Sequence, residues 1–122
     1  MALLADFEEI AVAEVCADPG GPSPAPHVHS RHVESCYVLE GELVLSAGER
    51  ELRATAGSWL EVPAGVAHSL SPSGREPVRF LDLHAPSCGF GAFVRSPDAA
   101  AFDQQPARQR GRARANTATG TR

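Results

Sequence analysis

The stretch that most constrains this chain runs from Gly21 to Gly41 and reads G-P-S-P-A-P-H-V-H-S-R-H-V-E-S-C-Y-V-L-E-G. It sets His27, His29 and Glu34 within eight residues, and His68 follows further along in P-A-G-V-A-H. Residues two apart on a strand project to the same face, so His27 and His29 can aim two imidazoles at one point. Glu34 then arrives from the next strand, once Ser30 to Val33 have turned the corner. The lead-in, Asp18 to Pro26, contains two Gly and four Pro and is expected to be a loop or a stiff extended arm.

The chemistry of these side chains narrows what they can hold. Imidazole suits zinc, copper, iron and nickel, carboxylate suits harder ions such as manganese, and no thiolate is needed to complete the group. One divalent transition metal, Fe, Mn, Ni, Cu or Zn, is the expected cofactor. Three imidazoles and one carboxylate leave positions open on an octahedral ion, whereas a structural zinc site is closed and tetrahedral. The competing reading is that the histidines only satisfy hydrogen bonds in a polar barrel mouth.

At 122 residues the chain fits one domain, expected over residues 1–103. The 11 Gly and 10 Pro supply many turn formers, which favours short strands and an all-β class. The net charge of −4 hides an asymmetry. Residues 1–103 carry six Arg against 15 Asp and Glu, a charge of −9, while five Arg and no acid lie beyond Asp103. An acidic body argues against nucleic acid as a partner, because phosphate binding needs a basic face. No Lys occurs anywhere, so Schiff-base chemistry is excluded. Cys16, Cys36 and Cys88 are odd in number with no C-x-x-C spacing, and no secretory h-region opens the sequence, so a reduced cytoplasmic setting is expected. No apolar run reaches the ~20 residues of a membrane span, so no membrane partner is expected.

Along the chain, strands are expected at Ile10 to Val15, Val33 to Leu39, Leu43 to Leu45, Glu51 to Ala54, Trp59 to Val62, Val66 to Leu70 and Val78 to His84. Ala47-Gly48 closes a hairpin, and Pro63-Ala64-Gly65 turns the chain before His68. On the Val33 to Leu39 strand, Glu34, Cys36 and Val38 share one face. A-P-S-C-G-F-G reads as loop, and Ser96-Pro97-Asp98 has the residues of a helix start, giving a short helix from Asp98 to about Gln104. Residues 104–122 read as an Arg-rich tail without a core of its own, expected to be disordered.

At these residues the sequence resembles the cupin superfamily, in its small single-domain, quercetinase-like form. The first cupin motif, Gly, five residues, His-x-His, three or four residues, Glu, six residues, Gly, is met by Gly21, His27, His29, Glu34 and Gly41. The second, Gly, five residues, Pro-x-Gly, two residues, His, three residues, Asn, is met by Gly57, Pro63, Gly65 and His68, with Pro72 where Asn is usual. Fifteen residues separate the two motifs. The resemblance implies a cupin jelly-roll β-barrel, a metal held by His27, His29, Glu34 and His68, and a homodimer.

Other residues carry a plain and a sharper reading. His32 is either a solvent-exposed loop imidazole or an acid or base on the pocket rim, and His84 either packs or shuttles protons near a bound substrate. Cys36 reads as a buried thiol in an apolar lining rather than a ligand or nucleophile. Trp59 and Leu60 must face opposite ways, and an outward Trp59 would suit a dimer contact. Together these features lead to a metal-dependent enzyme on a small organic, aromatic or polyketide-like substrate, with Glu34, His32 and His84 as the catalytic candidates, and the resemblance to quercetinase-like members implies a dioxygenase. The alternatives are a metal-dependent isomerase, epimerase or lyase, or a metal-containing small-molecule binding protein without turnover.

Overall fold

The computed structural model describes residues 1–98 and 101–107. Its strands are β1 (Ala2–Asp6), β2 (Ala11–Ala17), β3 (His27–Val28), β4 (Val33–Glu40), β5 (Glu42–Ala47), β6 (Arg50–Thr55), β7 (Trp59–Val62), β8 (Ser69–Pro72), β9 (Val78–Ala85) and β10 (Gln105–Pro106), with one helix, α1 (Phe90–Arg95), among the described residues. A five-stranded sheet runs β1-β2-β9-β4-β7, a three-stranded sheet runs β6-β5-β8, and β10 pairs with β3. All these pairings are antiparallel.

Period-two alternation decides which side chains go inside. On β9, Val78, Phe80, Asp82 and His84 are buried while the residues between them are part-buried. On β4, Glu34, Cys36 and Val38 turn inward and Tyr37 outward. These inner faces meet Leu43, Leu45 and Ala47 of β5, Ala54 of β6 and Leu60 and Val62 of β7 in one apolar core between the two sheets. A smaller cluster joins Ala11 and Ala13 of β2 to Phe90, with Phe93, Val94 and Phe102 packed on it. The jelly-roll architecture expected from the sequence is the one observed. Leu60 is buried and Trp59 faces outward, opposite Tyr37 in the β4–β7 register.

Gly41 shows why the first motif closes on glycine. It alone separates β4 from β5, at φ 80°, and a Cβ there would run into the carbonyl of Pro77. Only glycine accepts that backbone at that approach.

Several local expectations are corrected. The first five-residue strand, β1, has no counterpart among the expected strands; it exists because β2 offers it a partner edge over Ala11–Glu14. The helix lies at Phe90–Arg95, beginning in the last two residues of the stretch expected to be loop and ahead of the expected Asp98 start, and Ser96 ends it rather than starting the next. Its apolar Phe90, Phe93 and Val94 find a sheet to cover, and that packing outweighs the N-cap pattern at Ser96. Residues 101–104 are not helical. The expected boundary at residue 103 falls within an ordered contact, because Gln105–Pro106 pairs with His27–Val28 and the Ala107 N–H donates to the Pro26 carbonyl at 3.1 Å. Residues 108–122, most of the expected tail, lie outside the described residues.

Candidate metal centre

The two motifs meet through the backbone. The His27 N–H donates to the His68 carbonyl at 3.0 Å and the His68 N–H returns to the His27 carbonyl at 2.9 Å, an isolated antiparallel bridge. His68 therefore stands just before β8 rather than inside a strand beginning at Val66. The Gly65 N–H donates to the His29 carbonyl at 2.8 Å, so the Pro63-Ala64-Gly65 turn is tied to the first motif as well. Glu34 reaches the same place from β4, where it opposes His84 of β9 and Val62 of β7.

One donor atom from each of His27, His29, Glu34 and His68 lies within 4.8 Å of every other. His29 Nε2 and His68 Nε2 stand 3.0 and 2.8 Å from the same Glu34 Oε1. The far sides of the rings are equally ordered. The Nδ1–H of His27, His29 and His68 donates to the carbonyls of Ala25, Asp103 and Val66 at 2.9, 2.8 and 2.9 Å. With every Nδ1 so engaged, all three Nε2 lone pairs are left for the common centre, the arrangement that orients imidazoles around a metal ion. The donor set fits a divalent transition metal.

Electrostatics agrees with this fit. Burial by itself would push the Glu34 carboxyl up, but hydrogen bonds from Asp82, His29 and His68 hold it well below the ordinary range. His68 is desolvated, yet the Glu34 carboxylate raises its pKa, so that a proton there balances the buried anion in the absence of a cation. Asp82 goes the other way: burial, then the charge of Glu34, raises it well above a normal carboxyl, which favours its protonated form. Burial likewise drives the Cys36 thiol up, which disfavours the free thiolate, and its S–H points at Asp82 Oδ1 at 3.8 Å.

The centre opens into a cavity of about 410 Å³. Phe80, Phe90, Phe93 and Phe102 line it together with Asp82 and His84, and no Arg among the described residues is part of its lining. His84 stacks on Phe90 with ring centroids 3.9 Å apart. Its pKa is lowered to about 3, chiefly by burial and only partly offset by Glu34, so the ring is neutral and a weak base.

His32 is corrected on position. It is neither exposed nor on the rim but buried, and it is not among the residues that line the cavity. Its Nδ1 bonds Asp103 Oδ2 at 2.8 Å and its Nε2 bonds His84 Nδ1 at 2.7 Å, so both ring nitrogens are committed and neither can meet a substrate directly. Sequence reasoning missed two functional neighbours. Asp82 was legible in principle, because alternation along V-R-F-L-D-L-H puts it inward whenever His84 is inward. Asp103 carried no local signal, since its partners lie about seventy residues earlier.

The fold and this centre define a small jelly-roll barrel with a buried histidine and carboxylate cluster at one end. A solved structure from Thermus thermophilus is similar at 28% identity and a TM-score of 0.63, covering 70% of this chain and 80% of that one. A Klebsiella pneumoniae protein with a double-stranded β-helix domain is similar at 27% identity and a TM-score of 0.61, covering 69% and 73%. In sequence, 51 residues are 35% identical to quercetin 2,3-dioxygenase of Bacillus subtilis (strain 168), a match over 42% of this chain and 15% of that protein's length. The cupin domain family model matches residues 13–84, and the chain belongs to that family.

Proposed function

We propose that the protein is a metal-dependent cupin enzyme acting on a small, uncharged, partly aromatic organic substrate, with oxygenation as the reaction. The observation that carries this reading is the cluster of three imidazoles around Glu34, each with Nδ1–H on a carbonyl, with His29 Nε2 and His68 Nε2 at 3.0 and 2.8 Å from Glu34 Oε1, beside a phenylalanine-lined cavity that His27, His29 and Glu34 also line. His27, His29, Glu34 and His68 would hold the ion. When bound, a divalent transition metal supplies Lewis acidity toward substrate oxygens and, if redox-active, electron exchange with O₂. The likeness to a quercetin dioxygenase supports the oxygenase choice.

The protein's own groups have distinct tasks in this reading. The phenylalanines exclude water and offer flat apolar faces to a ring. The lack of Arg in the described lining disfavours phosphate or carboxylate substrates, which bind where cations meet them. Asp82 lines the cavity, and burial together with the charge of Glu34 favours its protonated form. A carboxyl with a raised pKa in the cavity lining favours a second reading, isomerisation or elimination by proton transfer, and oxygen demand separates the two.

The test is metal analysis of protein purified without oxygen, followed by O₂ uptake with flavonol and catechol substrates. One equivalent of redox-active metal per chain and substrate-dependent uptake are expected. Conversion of substrate without oxygen consumption would move the assignment to the proton-transfer reading, and a metal-loaded protein inert across the panel would contradict both.

A further inference from the structure

The corner between β3 and β4 has no ladder of its own: after Val28 the chain leaves the strand, and residues 29–32 carry His29, Ser30, Arg31 and His32 around the turn before β4 begins at Val33. Unpaired backbone donors in a part-buried corner are costly, so something must accept from them. That acceptor is one side chain far along the sequence. Asp103 Oδ1 accepts from the Ser30 N–H at 3.1 Å and Oδ2 from the Arg31 N–H at 2.7 Å. The same carboxylate accepts from His32 Nδ1 at 2.8 Å and from Gln105 Nε2 at 3.0 Å. The backbone carbonyl of Asp103 accepts from His29 Nδ1 at 2.8 Å, and its own N–H donates to the Cys88 carbonyl at 3.1 Å.

Asp103 is 2% exposed, and its neighbours extend the same clasp. Phe102 lies on the rings of His29 and His32, both with centroids at 5.5 Å. Two residues after Asp103, β10 pairs with the strand that bears His27. The segment 102–107 therefore touches the first motif at His27, His29, Ser30, Arg31 and His32, with Asp103 at the centre of the contacts.

We propose that Asp103 is the positioning residue of the metal centre: its carboxylate fixes the 29–32 corner and its carbonyl fixes the His29 ring with Nε2 turned to the ion. This rests on the metal reading above. It adds that the ligand geometry is completed only when the segment 102–107 is in place, so that a residue outside both cupin motifs sets the metal affinity. Arg31 serves as an internal control, because Asp103 uses its backbone N–H at 2.7 Å while its exposed guanidinium stands 3.9 Å away.

The experiment is Zn²⁺ titration calorimetry on the full chain with Asp103→Asn, Arg31→Ala and His68→Ala variants, each checked for a cooperative melt. Asn keeps the shape but loses the charge and one acceptor, and outer partners of metal ligands are worth roughly 10- to 100-fold in affinity. Asp103→Asn is expected to bind Zn²⁺ weaker by that factor while melting cooperatively, and Arg31→Ala to bind as the wild type. A folded Asp103→Asn with wild-type affinity would overturn the proposal, provided that His68→Ala has lost binding. Wild-type affinity in His68→Ala as well would instead bring down the metal reading itself. Should Asp103→Asn not fold, long-range ¹H–¹⁵N spectra of the metal-free wild type decide. His29 and His32 as Nδ1–H tautomers with slowly exchanging Ser30 and Arg31 amides support the assignment, and mixed tautomers with fast-exchanging amides refute it.

Discussion

His68 is bound on both sides, by Glu34 at its Nε2 and by the Val66 carbonyl at its Nδ1, and it is not itself part of the apolar core between the sheets. Removing its ring should therefore empty the metal centre and spare the barrel. His68→Ala is expected to lower metal affinity by more than about 100-fold, beyond the loss seen for outer partners, with far-UV circular dichroism unchanged. Retained stoichiometric metal in that variant would contradict the ligand assignment. At this scale the candidate ligands were readable as a cluster, because three His and one Glu stand at fixed spacing in two short motifs. Asp103 was not, because its contacts to residues 29–32 span about seventy positions and leave no local pattern.

Strands whose alternation is strong, such as β4 and β9, could be placed from residues alone, since one face must be buried and the period of two says which. β1 and α1 could not. Each is ordered by what it packs on: β1 by pairing with β2, and α1 by the cluster around Phe90. The core and the metal centre are separate elements, which makes their responses separable. Leu45→Ala, inside the core, is expected to cost about 2–5 kcal/mol of stability in chemical denaturation while leaving metal stoichiometry at the wild-type value. Gly41→Ala forces a side chain onto φ 80° against the Pro77 carbonyl and is expected to cost about 1–3 kcal/mol. A loss under about 0.5 kcal/mol at Gly41 would mean that the β4–β5 turn relaxes freely.

Across the whole molecule, buried ionisable groups link stability to pH. In the metal-free protein burial lowers the pKa of His84 to about 3 and also lowers those of His27 and His32, so the fold refuses protons that the unfolded chain accepts below about 6.5. Their contribution is complete above that pH and is lost as pH falls. Asp82 acts oppositely, being raised and therefore protonated in the fold before the unfolded chain takes up its proton. The histidines with lowered pKa outnumber the one carboxyl with a raised pKa over this range, so stability falls as pH falls. The melting temperature of the metal-free protein is accordingly expected to drop between pH 6.5 and 4, and a flat or rising profile would contradict the burial of these rings. Among the described residues no helix is long and apolar enough to cross a membrane.

The central claim is a single cation gripped from two motifs. A crystal of metal-loaded protein, measured at the absorption edge of the bound element, tests it directly. One anomalous peak about 2.0–2.2 Å from Nε2 of His27, His29 and His68 and from a carboxylate oxygen of Glu34 is the expected result. A peak elsewhere on the chain, or none in protein that analyses as metal-loaded, would contradict the account.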